Sequence, residues 1–183
     1  MHICYFTSSS VNGNYFQYLV NGLIATGARV SLITLSSVDP PKWLDKNSSV
    51  TFLNLCNGNR IAYPLAILRL ARYLRNEKVT VLHSNLFDAG LIAGVCRSFC
   101  RSVVFAYTRH HSDLVHLLGT RFHVALDRWM ARRSHHLIAV SEAVKTFMVE
   151  RDQIESNIDV VYLGFDFDKF TKNPELRNEI RNE

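Results

Sequence analysis

The sequence predicts an α/β protein built on a doubly wound parallel sheet of six to seven strands. Short apolar runs rich in β-branched and aromatic residues recur along the chain, separated by segments whose apolar residues fall at helical spacing. Those runs are almost continuously apolar, which suits strands buried on both faces. Several stop abruptly on hydroxyl, amide or imidazole groups, as a buried strand does where its carboxyl end opens into a crevice.

Residues 3–7 read as a first strand, followed by the polar loop Ser8-Ser9-Ser10-Val11-Asn12-Gly13-Asn14. Tyr15, Phe16, Leu19, Val20, Leu23 and Ile24 then recur at helical spacing, and Gly27 suits a left-handed helix end. Residues 29–35 form the second strand, so the chain opens with a βαβ unit whose crossover is right-handed. Pro40-Pro41 keeps 36–49 irregular.

Residues 50–55 make a third strand. Pro64 suits the first turn of a helix whose predicted buried stripe is Leu65, Leu68, Ala71 and Leu74, with Arg69, Arg72 and Arg75 in solvent. A fourth strand at 79–82 ends on His83-Ser84-Asn85, and Asp88 is placed to cap the helix carrying Leu91, Ile92 and Val95. The fifth strand, 102–107, ends on the polar knot Thr108-Arg109-His110-His111-Ser112-Asp113. A basic helical region at 114–133, broken at Gly119, leads to a sixth strand at 135–140. Ser141-Glu142 starts a helix through Val144, Phe147 and Met148, and a last strand at 158–163 runs into Gly164-Phe165-Asp166. Asn173 and Pro174 open a final charged helix with too little apolar surface to make a domain of its own.

Composition excludes several classes. With 48% hydrophobic and 20% charged residues the chain is an ordinary globular sequence. It has no apolar run long enough to span a bilayer and no basic, cleavable leader, so the expected compartment is the cytoplasm. Cys4, Cys56, Cys96 and Cys100 have neither disulfide-framework nor zinc-knuckle spacing and read as reduced, packing thiols. His110, His111, His116 and His123 offer no helical i, i+4 pair, so no metal is expected. The first loop has Gly13 alone and no lysine, which argues against a nicotinamide-dependent oxidoreductase and a Walker-type nucleotidase. No Gly-x-Ser-x-Gly elbow supports a hydrolase.

The formal charge of +5 is concentrated. Arg97, Arg101, Arg109, Arg121, Arg128, Arg132 and Arg133 face only Asp113 and Asp127 within 97–133. Such a stretch attracts phosphates or anionic headgroups, or is simply a solvated helix face. No nucleic-acid-binding signature accompanies it.

Five features occur in order: His83-Ser84-Asn85, Thr108-Arg109-His110, Ile138-Ala139-Val140-Ser141-Glu142, the stretch from Val160 to Asp166, and Phe170. Together they resemble the amino-terminal domain of retaining glycosyltransferases of family 4, which have the two-domain GT-B architecture. The resemblance implies a Rossmann-like acceptor domain at 1–163 and, at 164–183, a linker entering a donor-binding domain. It implies transfer of a hexose-type sugar from a nucleotide-sugar donor, used as substrate with no cofactor, to a glycan or lipid-linked acceptor. It places His110 as the catalytic-site histidine that contacts the donor sugar, and the loop of Asn12, Gly13 and Asn14 opposite the sugar and diphosphate. His83, Asn85, Thr108, Arg109, His111, Asp113 and Ser141 complete the expected substrate-binding set. Peripheral contact with the inner membrane face through Arg121, Arg128, Arg132 and Arg133 is a further expectation, and one half of such an enzyme is expected not to turn over alone. The rival reading is a non-catalytic Rossmann-like domain that binds a nucleotide or sugar.

Overall fold

A computed structural model describes residues 1–8, 14–36, 39–44, 50–112, 114–154 and 158–164. Its centre is one parallel sheet of β1 (His2–Thr7), β2 (Arg29–Thr34), β3 (Thr51–Asn54), β4 (Val81–Asn85), β5 (Val104–Arg109), β6 (His136–Ala139) and β7 (Ile158–Val160). The strand order is β3-β2-β1-β4-β5-β6-β7, and every neighbouring pair is parallel. The order reverses between β1 and β4, which leaves a crevice at their carboxyl ends. This is the predicted Rossmann-like fold.

The helices are α1 (Asn14–Ala25), α2 (Tyr63–Asn76), α3 (Phe87–Cys96), α4 (Leu114–Leu118), α5 (Arg121–Arg133) and α6 (Glu142–Glu150). They are unevenly shared between the two faces. Strand alternation sends Cys4, Phe6, Ile33, Leu82 and Phe105 to one face, where they pack against Leu70 and Leu74 of α2 and Ile92 and Ala93 of α3. Farther along the same face, Tyr107, Leu137 and Ala139 meet Ala131 of α5 and Val144 and Met148 of α6. On the other face Tyr5 and Leu32 pack against Phe16 and Leu19 of α1. Among the described residues no helix covers that second face over β5 and β6.

Gly27 takes φ +80° at the end of α1, as its place in the sequence implies. Gly90 and Gly94 let α3 lie close: a Cβ on Gly90 would meet Tyr107 at 2.9 Å, and one on Gly94 would meet Trp129 at 2.8 Å. All four cysteines are buried free thiols.

Three local expectations need correction. The buried stripe of α2 is Ala66, Leu70, Ala71 and Leu74, while Leu65 and Leu68 are 47% and 65% exposed. Asp88 does not cap α3, whose N-cap is Leu86 without a side-chain bond; it lies in the first turn and pairs with Arg60 at 3.2 Å. The polar ends of β4 and β5 lie inside the sheet ladder, because Asn85 pairs in register with Thr108, and Arg109 with Ala139.

Candidate functional site

The site grows out of the carboxyl halves of β4 and β5. A two-residue period puts His83 and Asn85 on one face of β4, and Thr108 on the same face of β5, with His110 beyond it. Their side chains meet there: His83 Nε2 lies 2.6 Å from Thr108 Oγ1, and His110 Nε2 lies 3.0 Å from Asn85 Oδ1. α1, arriving over the same face, adds aromatic walls. Tyr15 stands edge-on to His110 at 6.0 Å between ring centres, and Tyr5 stands edge-on to His83 at 4.9 Å. The Tyr5 hydroxyl donates to Tyr15 at 3.5 Å.

Beside this group lies a cavity of about 270 Å³, lined on its walls by Tyr15, Tyr18, His83, Thr108, Ile138 and Val140, and at its edge by 161–164. It exists because no described helix covers the second face beyond β4. The apolar walls with a few polar groups at one end are the usual character of a small-molecule site.

The site histidines are kept neutral. Burial, then the neighbouring His110 imidazole, lowers the His83 pKa to about 4. Burial, then His111, lowers that of His110. With Nε2–H donated to Asn85, the His110 ring keeps a lone pair on Nδ1, an acceptor for a hydroxyl. Asn85 is fully buried, and its Nδ2 lies near the Tyr5 hydroxyl without hydrogen-bond geometry. Leu86 follows with φ 68° and ψ 163°, a backbone region otherwise left to glycine, so the chain turns directly from Asn85 into α3.

The remaining predicted residues scatter. Arg109 is buried on the opposite face of β5, where its guanidinium pairs with Asp127 at 3.2 Å and with Asp152, and donates to the carbonyls of His111 and Ser112 at 3.0 Å. It therefore holds the 110–112 turn from behind and has no access to the cavity. His111 is exposed, with its ring 6.5 Å from that of His110. The Ser141 hydroxyl accepts from the Val144 amide at 3.3 Å, and so caps α6. Asn12, Gly13 and Asp113 lie outside the described residues, as do the side chain of Asn14, Phe170 and the tail at 165–183.

The basic span also divides. Arg128 turns inward to Asp152 at 3.5 Å and donates to the Arg151 carbonyl, whereas Arg132 and Arg133 gather with Arg97 and Arg101 elsewhere. Arg121 starts α5 and Arg133 ends it. Among the described residues no helix is long and apolar enough to cross a membrane.

Tyr5 and Tyr18 were not singled out by the sequence pattern; Tyr15 was noted only as a helix-stripe residue, and Ile138 and Val140 only as part of a family feature. The signal for Tyr15 and Tyr18 was present, two tyrosines three apart in the first turn of a helix that follows β1; Tyr5 looked like one more buried strand residue.

Sequence comparison gives this geometry a family. The profile described as Glycosyltransferase Family 4 matches residues 13–169. The chain belongs to glycosyltransferase family 4. No curated protein matches it. Among solved structures, the family 4 chain resembles Alr3699/HepE of Anabaena in complex with UDP, at 17% identity and a TM-score of 0.72 over 100% of this chain and 49% of that one. Sucrose-phosphate synthase of Thermosynechococcus elongatus matches at 12% identity and a TM-score of 0.78, over 98% of this chain and 52% of that one. MurG of Acinetobacter baumannii matches at 12% identity and a TM-score of 0.60, over 90% and 46%. The family 4 chain thus spans about half the length of these proteins, and it shares their Rossmann-like, GT-B type of domain.

Proposed function

We propose that this domain is the acceptor-facing, amino-terminal half of a nucleotide-sugar-dependent, retaining glycosyltransferase that moves a hexose-type sugar to a glycan or lipid-linked acceptor. The observation that carries the reading is the convergence of neutral His110 with Asn85, His83 and Thr108 beside an apolar cavity at the switch point of a family 4 sheet. A sugar hydroxyl is a weak, uncharged partner, and a neutral imidazole locked by Asn85 meets it without the cost of burying a charge. The aromatic rings of Tyr15 and Tyr18 offer the flat apolar surface that a pyranose or a lipid-linked acceptor needs. Anabaena Alr3699/HepE was crystallised with UDP and with UDP and glucose, which favours a uridine nucleotide sugar as donor here.

In this reading His110 binds the donor sugar from one wall of a cleft, and the charge of the leaving diphosphate is neutralised from the facing domain. The test joins this chain in frame to a family 4 donor domain and measures sugar transfer. His110→Ala should reduce turnover by about 10²-fold or more with the fold retained by circular dichroism. Unchanged turnover would take His110 out of the site. Titration of the 183-residue chain with a nucleotide sugar and an acceptor glycan, beside NAD, tests the rival binding-only reading: transfer by the joined protein excludes it.

A further inference from the structure

The amino ends of β5 and β6 carry a second polar pocket, on the rim opposite to His110. It has a volume of about 500 Å³ and is lined by Arg97, Ser98, Arg101, Arg132, Arg133 and His135. Strand β5 runs six residues between the two rims, roughly 20 Å at about 3.3 Å per residue. The pocket is therefore no part of the sugar cleft, and its assignment does not depend on the function proposed above.

Its construction is specific. Arg97 donates to the Arg133 carbonyl at the end of α5, while Arg133 donates to the Gly94 carbonyl at 3.0 Å and to Ser98 Oγ at 2.8 Å. The Arg133 guanidinium also lies over the Trp129 ring, 5.1 Å from its centre. Two guanidinium planes are thus fixed by helix ends and an aromatic face before any ligand arrives, which lowers the entropy cost of using them. Arg101 and Arg132 are exposed and, among the described residues, make no hydrogen bond or ion pair.

His135 Nδ1 accepts the Phe105 amide at 3.0 Å, which puts the ring proton on Nε2 and makes that atom a donor. Among the described residues no carboxylate lines the pocket. Helix-end carbonyls explain why Arg97 and Arg133 are there, and the Phe105 amide explains one nitrogen of His135, but neither accounts for Arg101, Arg132 or the His135 Nε2–H. Four like charges held together repel one another, an arrangement that an acceptor-only anion relieves.

We propose that this pocket is a binding site for phosphate groups, either on a soluble ligand bearing a diphosphate or on the headgroups of an anionic phospholipid surface. Guanidinium forks match phosphate oxygens two at a time, and the four guanidinium charges that line the pocket repel a cation.

The test uses the 183-residue chain with two probes. Inorganic pyrophosphate is titrated and followed by amide NMR shifts at Ser98, Arg101 and His135. Vesicles of phosphatidylcholine with and without phosphatidylglycerol are sedimented at two salt concentrations. The comparison protein is R101Q/R132Q, whose changed side chains are exposed and, among the described residues, make no hydrogen bond or ion pair, so its melting temperature should match. Binding of either probe, weakened about tenfold or more in the variant and reduced by salt, supports the site, since each lost charge-assisted bond is worth about a factor of ten. Pyrophosphate binding alone names a soluble ligand. Dependence on phosphatidylglycerol alone names a membrane surface. Failure of both probes, or binding that R101Q/R132Q leaves unchanged, overturns the proposal.

Discussion

The Arg109 guanidinium and the Asp152 carboxylate meet in the interior although 43 positions separate them, with side chains only 4% and 1% exposed. Asp127 and Arg128 join them, so two cations face two anions, and His116 adds a bond to Asp152 at 2.7 Å. Tyr107 donates its hydroxyl to Asp127 at 3.2 Å. The cluster ties the end of β5 to α5 and to the turn after α6. Removing one member leaves an uncompensated buried charge, so Arg109→Met should cost about 3–5 kcal/mol in urea unfolding, and Arg109→Met with Asp152→Leu should recover a large part of it. A single-variant loss under about 1 kcal/mol would mean that water reaches the cluster.

Arg109 also shows how far the sequence could be read. The knot at 108–113 was visible as a strand end; the strand was expected to stop at 107, and only its continuation to Arg109 lets the alternation separate Arg109 from Thr108 and His110. What no local pattern supplied was its partners, because Asp127 and Asp152 lie on elements that only tertiary packing brings together. The parallel order followed from nearly continuous apolar runs such as Ile3-Cys4-Tyr5-Phe6. The stripe of α2 did not, because Leu65, Ala66, Ile67, Leu68 and Leu70 allow two overlapping helical faces. Contact with Phe6 and Leu82 decided for Ala66 and Leu70.

Acid should destabilise the fold through His83. Its imidazole takes a proton near 6.5 when unfolded and at about 4 when folded, so between those values the unfolded state binds more protons and stability rises with pH. The contribution is present in full above the unfolded value and is lost as pH falls through the window, about 3 kcal/mol in all. Asp127, raised by burial against the pull of Arg109, works in the other direction, so the comparison is with His83→Gln. Unfolding free energies from pH 7 to 4 should have a shallower slope in that variant; equal slopes would contradict the buried, neutral imidazole.

Three helical glycines should respond with opposite signs. Gly90→Ala and Gly94→Ala drive a methyl into the rings of Tyr107 and Trp129 and should each lower stability by about 1–3 kcal/mol. A methyl added at Gly22 in α1 would meet nothing within 4 Å, and the residue has no positive φ, so Gly22→Ala should raise stability by about 0.5–1 kcal/mol. Melting curves of the three variants test the closeness of α3 to β5 at Gly90 and to α5 at Gly94.

Asn85 should set the tautomer of His110. The 3.0 Å contact runs from His110 Nε2 to Asn85 Oδ1, so the amide oxygen selects the Nε2–H form and leaves Nδ1 as the acceptor. Nitrogen NMR of the His110 ring should therefore report a protonated Nε2 in the wild-type chain. Asn85→Ala removes the acceptor and opens space around the ring. The ring should then relax toward a mixture of tautomers, and its pKa should rise toward the ordinary histidine value as the burial that lowers it is relieved. In a protein joined to its donor domain the same change should lower turnover while His110 is still present, since the ring would lose its fixed orientation and tautomer. A tautomer that Asn85→Ala does not alter would show that other contacts, not this amide, orient the ring.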